Sequence, residues 1–201
     1  MKVVLATRNK NKMDQIRAVF AGAAIEILSL DDVSVSGAAV EDGSSLEENA
    51  TKKVRYAHER LTQPMWVMAD DTGFFIDAFG GEPGIQAAYW GGEHLSAEER
   101  MRYALERMHG VTDRRATFRT CVALVSPEGE LTYFLGELKG TLLEEPRGTL
   151  LPSLPFGVIF LPEGESRSLD ELRVEEESVI SHRGKAFRQA RAFLEKRANT
   201  A

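Results

Sequence analysis

The first twenty residues constrain the fold more tightly than any other stretch of the chain. Lys2–Ala6 is a short apolar run of buried-strand type, and Thr7-Arg8-Asn9-Lys10-Asn11-Lys12 follows at once, without hydrophobic period and dense in hydrogen-bond donors. From Met13 to Phe20 the pattern turns helical, with Ile16, Val19 and Phe20 on one face. A buried strand feeding a helix through a cationic turn opens an α/β arrangement. The unpaired N–H groups and the positive end of the helix dipole then face outward, which makes the turn a place to hold an anion. No Gly-x-x-x-x-Gly-Lys-Ser/Thr motif occurs in the chain, so side chains must supply more of any phosphate contact than glycine backbone does. A solvated loop of helix-start residues accounts for the same composition, and on these residues alone both readings stand.

Further along, Ile25–Leu28 reads as a second strand, and Asp31–Gly43 as an aperiodic loop carrying Glu41 and Asp42. A Ser45-x-x-Glu48 capping box opens a helix to about Leu61, with Pro64 beyond it. Met65–Ala69 is the next strand, and Asp70-Asp71-Thr72-Gly73 falls at its carboxyl end. Gly80–Gly84 is a turn by composition, and a second capping box at Ser96 opens a helix to about His109. Ala116–Ser126 and Leu131–Leu138 form a hairpin through Pro127–Glu130. Gly140–Pro155 reads as loop, Phe156–Leu161 as a last strand, Ser168–Leu172 as a helical turn, and Ser181 as the start of a helix to about Ala198. Early strand–helix alternation with a later hairpin predicts one α/β domain over residues 1–201, a mixed central sheet with flanking helices. Ligands of such sheets gather at strand carboxyl ends, where Thr7–Lys12 and Asp70–Thr72 are both expected.

The bulk properties narrow the function. The hydrophobic fraction of 43% in 201 residues is too high for a disordered chain. No apolar run approaches the ~18–20 residues of a bilayer span, and the N-terminus lacks the pattern of a signal peptide. These features predict a cytoplasmic protein with no membrane partner. The single cysteine, Cys121, excludes an internal disulfide and a cysteine-based zinc site. A net charge of −6 argues against nucleic-acid binding but leaves room for a small polyanion held by a local basic loop.

The candidate chemistry lies in carboxylates and cations. Asp70 and Asp71 leave an apolar strand side by side, so a cation is expected near them. With Glu41 they offer oxygen ligands of the type Mg²⁺ takes, alongside substrate phosphates. A bound metal lowers the pKa of water, and a free aspartate can accept its proton. The same Asp-Asp pair serves equally well as the cap of a turn at Gly73. Lys52 and Lys53 read by default as a solvated helix face. Ser181-His182-Arg183 either clamps phosphate and base or caps a helix with surface residues behind it.

Taken together, Ala6–Lys12 (ATRNKNK), Gly43–Lys53 (GSSLEENATKK), Ala69–Gly92 (ADDTGFFIDAFGGEPGIQAAYWGG), Phe160–Gly164 (FLPEG) and Ser181–Phe187 (SHRGKAF) resemble the inosine triphosphatase family, the pyrophosphatases of non-standard purine nucleoside triphosphates. The resemblance implies an α/β fold of two lobes around a nucleotide cleft, usually as a homodimer. It implies hydrolysis of inosine, deoxyinosine and xanthosine triphosphates to the monophosphate and pyrophosphate with Mg²⁺. By motif position, Thr7, Arg8, Asn9, Lys10, Asn11 and Lys12 would bind the triphosphate with help from Lys53. Glu41 and Asp71 would hold the metal, and Asp71 would take the proton of the attacking water. Thr72 would follow it in the substrate site, and His182 and Arg183 would contact the base.

Two departures fall in the base-binding part. Relatives usually carry Phe-Gly-Tyr/Trp-Asp-Pro before the last strand. Here Leu154-Pro155-Phe156-Gly157-Val158 stands instead: counting back from Phe160–Gly164 puts Phe156 at the aromatic position and Gly157 at the aspartate, alternatively Phe156-Gly157 is the relatives' Phe-Gly with two residues missing, and in either register the aspartate is absent. Four residues before Ser181, the usual lysine is Glu177. The phosphate and metal half is intact, while the base-reading half has lost one acid and inverted one charge, which predicts an altered base preference.

Overall fold

The computed structural model describes residues 1–152 and 154–198. Among the described residues seven strands form one mixed sheet: β1 (Lys2–Leu5), β2 (Glu26–Leu28), β3 (Trp66–Ile76), β4 (Pro83–Gly84), β5 (Arg115–Val125), β6 (Leu131–Leu142) and β7 (Phe160–Pro162). Five α-helices accompany them within the same residues: α1 (Lys10–Val19), α2 (Leu46–His58), α3 (Ala97–Arg107), α4 (Val174–Ile180) and α5 (His182–Ala198). The strand order is β2-β1-β3-β5-β6-β7, with β4 paired to β3. β1 runs parallel to both β2 and β3, whereas β3–β4 and β6–β7 are antiparallel. The expected mixed sheet with flanking helices is what forms.

The chain divides into two compact units, one of Met1–Thr72, Thr120–Gly136 and Ser181–Ala201, the other of Gly73–Arg119 and Glu137–Ile180. In the first, α1 and α5 cover one core that includes Val3, Leu5, Ile16, Met68, Val122, Leu124, Phe187 and Leu194. Gly136 permits that packing, because a Cβ there would collide with the His182 carbonyl at the start of α5. The second unit is built on aromatic rings. Phe74 stacks on Phe156 at 4.8 Å and 13°, and Phe118 meets Phe160 edge-on at 4.9 Å. Each such buried ring contributes roughly 1.5–3 kcal/mol of transfer free energy.

Several sequence expectations need correction. Asp70–Thr72 do not end a strand. They lie in the middle of β3, because the apolar Phe74-Phe75-Ile76 continues the strand and pairs through Phe74 and Phe75 with β4. Phe156–Leu161 is not one strand: Gly157–Ile159 forms a 3₁₀ turn, and only Phe160–Pro162 pairs with β6. β6 in turn runs on through Gly140 to Leu142, into what was expected to be loop. α4, with three glutamates in its first turn, had no sequence expectation. The Ser45 capping box is displaced by one residue. Ser45 does accept from the Glu48 N–H, but the Glu48 carboxylate takes the backbone and hydroxyl of Ser44.

Candidate active site

Strand register brings the first loop to the acidic pair. Leu5 of β1 lies beside Met68 of β3, and the Ala6 N–H still reaches the Met68 carbonyl at 2.8 Å. β1 then stops while β3 continues, so Asp70 sits level with the turn that begins α1. Strand order also reverses at β1, with β2 on one side and β3 on the other, the type of switch point at which parallel sheets bind ligands.

The turn is built by its own side chains. Thr7 Oγ1 accepts from the Asn9 N–H, and Asn9 caps α1 by accepting from the Lys12 N–H, each at 3.2 Å. Lys10 and Lys12 therefore lie in the first turn of α1, where the helix dipole disfavours cations. Lys12 is compensated by Asp70, whose Oδ2 accepts from its ammonium at 2.9 Å. Asp70 is almost fully buried and also faces Arg183, with Nε at 3.5 Å. The Thr72 hydroxyl is 3.3 Å from the same oxygen and 2.8 Å from Thr120 Oγ1. Burial alone would raise the Asp70 pKa, but Lys12, Arg183 and Lys53 overcome it and hold the carboxyl well below the usual carboxylate range. Burial pulls Lys12 down, with Asp70 opposing and Arg183 and Lys53 adding to the fall.

Asp71 faces a second cation. The Lys53 ammonium donates to Asp71 Oδ1 at 2.7 Å and to the Asp70 carbonyl at 3.1 Å, and it meets Glu41 Oε2 at 2.8 Å. Asn49 donates to Asp71 Oδ2 at 3.3 Å, and its own oxygen accepts from the Gly43 N–H. Burial raises the Asp71 pKa, and Lys53 only partly reverses this. Burial also opposes the Lys53 charge, but Asp71 and Asp70 leave its pKa raised. A buried carboxylate with a raised pKa is a better proton acceptor than an ordinary one.

Lys53 thus stands as a cation between Glu41 and Asp71, and carboxylate oxygens around one positive charge are the donor type that Mg²⁺ takes. Among the described residues no group of three or more His, Cys, Asp or Glu side chains could hold a metal. The two carboxylates fit the ion if substrate phosphates and water complete its shell.

The remaining expected site residues fall in three places. The Arg8 guanidinium is engaged with the 31–37 loop, at Asp31 (2.8 Å), the Val35 carbonyl (2.7 Å) and the Gly37 carbonyl (3.3 Å). It lines a cavity of 360 Å³ with Thr7, Asn9, Lys10 and Arg17. Lys10 and Asn11 are exposed. His182 is fully buried, and burial, with Arg183 beside it, drives its pKa well below the ordinary value, so the imidazole is neutral at pH 7. Arg183 reaches Gln15 Oε1 at 2.8 Å, and Ser181 caps the turn by accepting from the Gly184 N–H. In the second unit, Phe156 is a core ring 2% exposed, and Gly157 and Glu177 are buried.

Sequence reasoning missed Asn49, Thr120 and the positioning part of Gln15. Asn49 had a signal, since it precedes Lys53 by one helical turn and shares its face. Thr120 and Gln15 had none, because only the fold brings them to Thr72 and Arg183.

Residues 3–193 match the model of the Ham1 family. The chain is 35% identical over 199 residues to a dITP/XTP pyrophosphatase of Thermoanaerobacter pseudethanolicus, covering 98% of each. Among solved structures, a Ham1 protein of Staphylococcus aureus superposes with a TM-score of 0.84 at 29% identity, covering 98% of this chain and all of that one. A HAM1 protein of Coxiella burnetii gives 0.86 at 28% identity, over 98% of this chain and 99% of its own.

Proposed function

Because the chain belongs to the Ham1 family, we propose that it hydrolyses non-standard purine nucleoside triphosphates such as ITP, dITP and XTP to the monophosphate and pyrophosphate, clearing them from the nucleotide pool. The observation that carries this reading is the double charge array. Lys12 and Arg183 face Asp70, and Lys53 is shared by Asp71 and Glu41. The cations of such an array are poised to trade carboxylate partners for phosphate oxygens, with little new ordering to be imposed on binding.

Thr7, Asn9, Lys10, Asn11, Lys12 and Lys53 bind the triphosphate, and Arg8 acts behind them by fixing the 31–37 loop. Asp71 removes a proton from the attacking water. That water bonds to the α-phosphorus as the bond to the bridging oxygen breaks, and pyrophosphate leaves with the electron pair. Glu41 and Asp71 would hold Mg²⁺, which would supply neutralisation of phosphate charge and a more acidic water. Thr72 and Thr120 hold Asp70 in place. Arg183 meets the base, oriented by Gln15, and the fully buried His182 stands beside it. Phe156, expected at the base, is instead a buried ring stacked on Phe74 and fixes the chain just before Gly157. We also read the protein as a cytoplasmic homodimer. The dimer is supported by the half-exposed Tyr133 and Leu135 on β6 and is tested by sedimentation.

The test is release of pyrophosphate from ITP with and without Mg²⁺. The wild type releases pyrophosphate and inosine monophosphate only with the ion, and Asp71→Asn lowers kcat by about 10²–10⁴. Release unaffected by Asp71→Asn contradicts the assignment of the base. A homologue that binds nucleotide without turnover is the competing reading, and pyrophosphate release excludes it.

A further inference from the structure

Asp170, in the second unit, is a carboxyl with no cation facing it among the described residues, whereas the buried acids of the first unit, Asp70 and Asp71, are paired with cations. It lies in the short 3₁₀ turn Leu169–Glu171, whose Ser168–Glu171 capping box would hold the turn with any residue at 170. The Asp170 carboxyl lies against the α-carbon of Gly157. A Cβ built on Gly157 would meet Oδ1 first, with Cγ at 2.6 Å and Oδ2 at 2.8 Å. Residue 157 is a glycine because the space of its side chain is already filled, and what fills it is an acid from elsewhere in the chain. Asp170 Oδ2 is buried and has no hydrogen-bond partner. Leu151 offers a backbone N–H to the carboxyl, and the charged group facing it is Glu177 of α4, another acid. The neighbouring Glu171 carboxylate is engaged at the Ser168 N–H. A buried oxygen without a donor, beside a like charge, weakens the fold, so its retention points to a donor that arrives with a ligand.

We propose that Asp170 is a specificity-determining residue for the base: its carboxyl takes the place of the side chain Gly157 lacks and sorts purines by whether they present an N–H at N1. This rests on the reading of the chain as a purine nucleoside triphosphate pyrophosphohydrolase with residue 157 at the base. Hypoxanthine, xanthine and guanine carry that N–H and can donate to a carboxylate. Adenine presents a bare N1 lone pair, which a carboxylate repels and only a protonated carboxyl can meet. Burial and Glu177 push the Asp170 carboxyl up to about 7, so both forms are populated near neutrality.

The experiment compares kcat/KM for ITP and ATP in the wild type and Asp170→Asn, from pH 5.5 to 8.5, with Mg²⁺ present and folding checked by thermal melting. The asparagine keeps an acceptor for Leu151, so a purely structural role of Asp170 survives the change. The wild-type ITP:ATP ratio rises as the pH passes about 7. In Asp170→Asn at pH 8 the ratio falls at least tenfold below the wild type and no longer varies with pH, while inhibition by inorganic tripolyphosphate, which has no base, stays within twofold. A folded Asp170→Asn variant whose ratio stays within twofold of the wild type, or rises, overturns the inference and leaves the function standing. A wild type that releases pyrophosphate from no nucleotide overturns the function itself.

Discussion

The two compact units treat buried charge in opposite ways. In the first, Asp70 and Asp71 are surrounded by Lys12, Lys53 and Arg183, with a further hydrogen bond from Thr72 to Asp70 and from Asn49 to Asp71. In the second, Asp170 faces Glu177 and keeps an oxygen without a partner. Under the proposed function the difference separates two tasks. A polyphosphate carries the same charge on every nucleotide, so its cradle can be pre-formed with carboxylates holding the cations in register. A base differs between substrates by single N–H groups, so a group that reads it must be left unsatisfied until the base arrives.

Removing compensation from the first unit is the strongest way to break this contrast. Asp70→Asn leaves Lys12 and Arg183 as buried cations with no facing carboxylate, which costs about 3–5 kcal/mol of stability. Denaturant titration at pH 7 measures it, and a loss below about 1 kcal/mol would mean that water already screens the cluster. Removing the uncompensated charge from the second unit has the opposite sign. The Asp170 pKa is raised in the folded state, so between about pH 4 and 7 the folded protein holds a proton that the unfolded chain has lost, and stability falls with rising pH. Asp170→Asn escapes that fall. It matches the wild type near pH 4 and exceeds it by ~1–3 kcal/mol above pH 7, a discounted figure because the group is partly exposed. Parallel stability–pH curves for the two proteins would contradict it. The smallest expected effect is Gln15→Ala, which frees Arg183 from one hydrogen bond while Asp70 still holds it. A change of ~0.5–1.5 kcal/mol is expected, read as a rise in KM for ITP with kcat nearly unchanged.

The same contrast governs how much the sequence discloses. The charged groups of the first unit could be singled out in advance because they lie in contiguous motifs: Thr7–Lys12, Asp70–Thr72 and Ser181–Arg183 each bring several polar groups on one short segment. What could not be read was their mutual pairing. Nothing local says that Lys12 faces Asp70 while Lys53 faces Asp71, since that follows from where β1 stops and β3 continues. The interior position of Asp70–Thr72 was hidden for a related reason, because two carboxylates in a row look like the end of a strand until the cations that neutralise them are in view. In the second unit, Gly157 was visible only as a missing aspartate. That its space is taken by Asp170 depends on the 3₁₀ turns at 157–159 and 169–171 packing together, a long-range contact with no periodic signature. Glu177 was visible as an inverted charge, but the helix that carries it, α4, was not.

Hydrolysis of ITP in heavy-oxygen water tests the central claim most directly, because it reports which phosphorus the attacking water reaches. Attack at the α-phosphorus places the heavy oxygen in inosine monophosphate and leaves pyrophosphate unlabelled. Label in pyrophosphate, or in released orthophosphate, would contradict the account.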